Sequence, residues 1–164
     1  MTSTAQRTLL ADQLERSVHG GAWHGPALTE VLNGLEFKMA GWRPAAGFHS
    51  IAEVVGHLTF WIEDVHQRLP GASEPPSPAL SDWVHPEPES ERDWQAALAR
   101  LEAAHLRLQS AFLPLEDAQL DLPVPGSDPT LRGLLLGTLQ HIAYHGGQIA
   151  LLRKLAEQAA RGGP

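Results

Sequence analysis

Apolar residues recur at three- and four-residue intervals along most of this chain, the spacing of an amphipathic α-helix rather than of a strand. From Ala5 to Val18 they form one such stripe, and Gly20-Gly21 supplies a flexible stop. Trp23-His24-Gly25-Pro26 is turn chemistry, with Pro26 placed to open a short helical run from Ala27 to Leu35. Arg43-Pro44 and Gly47 mark another loop. Ser50 and Glu53 have the spacing of a capping box, and Ile51, Val54, Val55, Leu58, Ile62 and Val65 follow at helical intervals until Pro70-Gly71. Pro75, Pro76, Pro78, Pro86 and Pro88 then forbid a long helix, so residues 72–88 read as a long surface connection. Helical spacing resumes from Glu91 to Leu113, through Trp94, Leu98, Leu101, His105, Leu108 and Phe112, and breaks at Pro114. A turn-rich stretch from Pro123 to Pro129 precedes Thr130, the expected cap of a last helix running through Leu155. Nothing alternates strictly between hairpin turns, and there is no internal repeat. The pattern predicts an all-α fold, a four-helix bundle with long connections.

Composition narrows this picture. At 164 residues the chain is long enough for one substantial core, and a single domain over residues 1–164 is expected. The net charge of -7, with Lys and Arg scattered, gives no footprint for nucleic acid or an anionic membrane surface. The absence of cysteine excludes disulfides, thiolate-ligated zinc and a protein thiol nucleophile. Met1 to Leu14 is interrupted by Gln6, Arg7, Asp12 and Gln13, so it lacks the apolar run of a signal peptide or membrane span, and a cytoplasmic location is expected.

Histidines supply the candidate chemistry. His141 and His145 lie four residues apart on the last helix, where neighbouring side chains can converge on one ion. His145 falls within the stripe of Leu134, Thr138, Ile142 and Ile149, and His141 lies on its edge. An i, i+4 pair alone fits two core histidines equally well. On the second long helix, His57 sits beside Val54, Leu58 and Trp61, and His66 lies on the other flank; periodicity does not choose between them. Gln148 is placed to bond a ligand imidazole, though a solvated glutamine satisfies the same spacing. Tyr144 and Trp61 can shape a pocket mouth or simply pack; Glu53 reads as a cap, and Asp64 either orients an imidazole or faces water.

The run His49-Ser50-Ile51-Ala52-Glu53-Val54-Val55-Gly56-His57-Leu58-Thr59-Phe60-Trp61, followed far downstream by Gln140-His141-Ile142-Ala143-Tyr144-His145-Gly146-Gly147-Gln148-Ile149, resembles the DinB family of damage-inducible and YfiT-like proteins. The resemblance covers nearly the whole chain. It implies a divalent ion held by one histidine of the second helix and the pair on the last, here His57, His141 and His145. Trp23-His24-Gly25-Pro26 is similar to a segment of one family branch, which makes His24 a further candidate contributor.

Three neutral imidazoles leave an ion's charge uncompensated and a coordination position open, the arrangement of catalytic metal sites. Zn²⁺, Ni²⁺, Co²⁺ and Fe²⁺ all suit three nitrogens. Such a position can acidify water or a thiol. The resemblance implies the thiol, since several branches of the family are S-transferases using a low-molecular-weight thiol such as bacillithiol or mycothiol. The expectation is therefore a metal-dependent thiol S-transferase acting on a small-molecule substrate. A metal-dependent hydrolase is the first alternative, although no Glu adjoins the histidine pair as a base. The second is a non-enzymatic metal-binding module of the stress response, a homodimer built through an exposed helix face.

Overall fold

The computed structural model describes residues 5–72, 82–83, 87–124 and 129–162. Among the described residues six α-helices follow in order: α1 Ala5–His19, α2 Leu28–Leu32, α3 Phe37–Ala40, α4 Ile51–Gln67, α5 Glu91–Phe112 and α6 Leu131–Arg161, with a 3-10 turn at Asp117–Asp121 before the last. Among the described residues there is no strand, only one isolated bridge between Pro123 and Thr130. Most of the expected connection at residues 72–88, and part of the turn at 123–129, lie outside the described residues.

Local chemistry sets these boundaries. Ser50 accepts the Glu53 amide at 3.2 Å and its own amide donates to the Glu53 carboxylate at 2.9 Å, so the capping box forms as its spacing predicts. Ser90 and Thr130 cap α5 and α6 by accepting the Asp93 and Gly133 amides, each at 3.3 Å. At the start of α1, the Gln6 and Arg7 amides donate to the Asp117 carboxylate at 3.2 and 3.0 Å. Two boundaries differ from the sequence expectation. The run Ala27 to Leu35 closes after Leu32, because Asn33 is extended and Gly34 takes φ 72°, and a separate short helix, α3, follows. The last helix passes Leu155 to reach Arg161: Ala156 is buried, Arg153 pairs with Glu157 at 3.0 Å, and no residue before Gly162 disfavours continuation.

α4 packs along both α5 and α6, and α1 lies against α6 and α5. The shared core contains Leu58 and Ile62 from α4, Trp94, Leu108 and Phe112 from α5, and Ile142 and Ile149 from α6. Trp94 is fully buried, and its indole N–H donates to the Leu35 carbonyl at 2.8 Å, fixing the start of α5 to the segment after α2. Arg153 of α6 donates to the Val31 and Asn33 carbonyls at 2.9 and 2.8 Å, satisfying the end of α2. Among the described residues no helix is long and apolar enough to cross a membrane.

Candidate metal centre

His57 lies midway along α4, on the face turned to α6, and α6 presents His141 and His145 one turn apart. The His141 Nε2 is 3.1 Å from the His57 Nε2 and 2.9 Å from the His145 Nε2. One donor atom from each residue falls within 4.8 Å of the others. Ligands about 2.0 to 2.1 Å from a tetrahedral ion stand about 3.3 Å from one another, so this spacing is that of a coordination sphere. The three histidines could hold a divalent ion.

The outer nitrogens explain why the inner ones point together. His57 Nδ1 lies 3.2 Å from the Asp82 carbonyl and 3.4 Å from its carboxylate, and His145 Nδ1 lies 2.6 Å from Oε1 of Gln148. These oxygens only accept, so each Nδ1 carries the hydrogen and leaves the Nε2 lone pair facing inward. Trp61 donates its indole N–H to Asp82 at 2.9 Å, which holds that carboxylate in place. Trp83 stacks on His57 at 3.9 Å and on His49 at 3.8 Å, so its indole is sandwiched between the two imidazoles and covers one side of the site.

Burial disfavours charge here. His57 and His145 are 5% and 4% exposed. His141 is pushed down to about 4 by burial, and then by the neighbouring His145 and His57. His145 is also lowered by burial, against the opposing bond to Gln148, with His49 adding to the lowering. Neutral rings are the form that ligates a metal.

The other candidates fall elsewhere. His66 is half-buried and His24 is exposed in the turn between α1 and α2; neither belongs to the converging group. Asp64 pairs with Arg68 at 2.6 and 3.0 Å instead of orienting an imidazole. Glu53 caps α4 and also meets Arg43 at 2.6 Å. Tyr144 is exposed, its ring edge-on to His145 at 5.0 Å. Asp82 and Trp83 are site neighbours that the helical pattern does not reveal, since both lie in the proline-rich connection. Their one signal is an aromatic residue inside a polar loop, which is where binding residues concentrate.

An all-helical bundle with three imidazoles converging between two of its long helices defines the class of protein. The sequence model of the DinB superfamily matches residues 22–149, and the chain belongs to that superfamily. Comparison with curated proteins gave no match, and comparison with solved structures gave none either.

Proposed function

We propose that this protein is a metal-dependent thiol S-transferase in which His57, His141 and His145 hold one divalent ion and a low-molecular-weight thiol is the co-substrate. The observation that carries the reading is the donor set: three imidazoles converge with no carboxylate among them, so a bound divalent ion keeps its charge and an open position. When bound, the ion supplies a Lewis acid that favours a sulfur ligand as its thiolate. The chain itself has no cysteine, so the sulfur comes from a small molecule.

The residues around the centre serve this chemistry by orientation and exclusion. Asp82 and Gln148 fix the imidazole tautomers, and Trp83 shields His57 from water. In the transfer the sulfur forms a bond to an electrophilic carbon as the leaving group departs with its electron pair, and the thiol proton passes to solvent. Hydrolysis is the weaker reading because Asp82, the acid that meets His57 at its outer nitrogen, is engaged there and by Trp61.

The experiment is a titration of a bacillithiol-like thiol into the Co²⁺-loaded protein, followed by assay of a panel of electrophiles with and without the thiol. A sulfur-to-cobalt charge-transfer band and thiol-dependent consumption of an electrophile are expected. With metal fully bound, no band and no thiol-dependent turnover would overturn the transferase reading; thiol-independent turnover would favour hydrolysis, and no turnover a binding module.

A further inference from the structure

We infer that Glu15, His19 and His105 form a second divalent-metal site, separate from the first. Glu15 and His19 lie one turn apart on α1, and His105 faces them from α5. One donor atom of each falls within 4.8 Å of the other two, the same convergence shown by the three-histidine group. His19 Nδ1 is 2.9 Å from one Glu15 oxygen and His105 Nε2 is 3.3 Å from the other, distances close to the edge of a tetrahedral coordination sphere.

The surroundings orient these atoms as they would around an ion. His19 turns its Nε2 to Glu102, 3.0 and 3.1 Å from the two carboxylate oxygens. That nitrogen therefore donates, and loss of the Nδ1 proton to an incoming ion would leave a lone pair on the side of Glu15. His19 Nδ1 is buried and, despite its closeness to Glu15, makes no aligned hydrogen bond. A carboxylate holding the outer nitrogen of an imidazole whose inner nitrogen is free is the arrangement that supports metal-ligating histidines. Gln109 donates to Glu15 at 2.9 Å and fixes the carboxylate in turn. His105 is 0% exposed, and its Nδ1 has no partner among the described residues. The nitrogen that turns to Glu15 is Nε2, the one a metal would take.

The chemistry differs from that of the first centre. Two imidazoles and one carboxylate, with the Glu102 carboxylate just outside, offset a 2+ charge and suit zinc or another first-row divalent ion. The two groups share no residue and no helix: the first joins α4 to α6, and the second joins α1 to α5. An ion at the second would tie the first helix to the rest of the bundle.

The test counts ions and reads stability without any activity. Zn²⁺-loaded, desalted wild-type protein should carry two ions per chain by elemental analysis. Glu15→Gln, which keeps the side-chain size, and His19→Ala should each carry one, with unchanged far-UV circular dichroism. In a His141→Ala background, where the three-histidine centre is broken, Zn²⁺ should still raise the melting temperature, and adding Glu15→Gln should abolish that rise. One ion per wild-type chain, or two ions retained in both Glu15→Gln and His19→Ala, would overturn the site and leave a hydrogen-bonded ion-pair network. Both readouts are independent of whether the three-histidine centre performs sulfur transfer.

Discussion

Two and a half turns apart on α4, His57 and His66 offer the same chemistry, and the helical period leaves both open; what separates them is the partner each meets. His57 faces the α6 pair and is held at its outer nitrogen by Asp82, whereas His66 lies outside the converging group. His57→Ala should therefore lose the ion of the three-histidine centre, while His66→Ala keeps it, measured by metal content after desalting with the second-site variant Glu15→Gln as background. The reverse result would reassign the ligand. A pH effect belongs to the same residues. Because His141 is lowered from 6.5 to about 4 in the fold by burial and its histidine neighbours, the unfolded chain takes up that proton first as pH falls. The contribution is present above 6.5 and lost as pH drops towards 4, with His145 acting in the same direction. Metal-free wild type should thus lose denaturant stability between pH 7 and 5, and His141→Ala should lose less. His19 has the opposite sign: burial lowers it, but Glu102 and Glu15 outweigh burial and raise it, so its contribution is lost as pH climbs through the raised value. At this scale the sequence pattern was most informative where chemistry and period coincide, at His141 and His145. It was silent on Asp82 and Trp83, whose role depends on meeting His57 of α4 from outside any helix, and on His105, whose partners Glu15 and His19 are about ninety residues away in the chain.

At the scale of elements, helix starts were legible because a cap is a local hydrogen-bond pattern: Ser50 with Glu53 is written within four residues and forms as written. Ends were less legible. Nothing at Leu155 stops α6, and the stop at Leu32 needs Gly34 in a left-handed conformation. α6 also runs through glycines that a helix disfavours. Gly147 is exposed, and a Cβ built there meets nothing within 4 Å, so neither packing nor backbone geometry requires the glycine. Gly147→Ala should stabilise the protein by about 0.5 to 1 kcal/mol through the lower entropy of the unfolded chain. For a chain of this size that is a rise of roughly 1 to 4 °C in melting temperature, with metal content unchanged. A fall in melting temperature would show that the open space beside Gly147 is needed by something the helix contacts.

For the whole molecule, four apolar stripes imply a bundle, but stripes do not say which helix neighbours which; α4 lies along both α5 and α6 because its buried face, from Ile51 to Val65, is wide enough to serve two partners. That arrangement decides how the bundle responds to loss of metal. The largest fully buried side chains, among them Trp94, Phe112, Leu58, Leu108, Leu120, Ile142 and Ile149, make a core that needs no ion to bring it together. The three-histidine centre is carried by helices already joined through that core, so chelation should leave far-UV circular dichroism essentially unchanged. The melting temperature should fall by the linkage term, growing with the ratio of free metal to its dissociation constant, because the ion binds the folded chain in preference to the unfolded one. Collapse to coil on chelation would mean instead that metal binding supplies the folding energy, as in small zinc domains, and would shift the reading of the centre from a reactive site to a structural one.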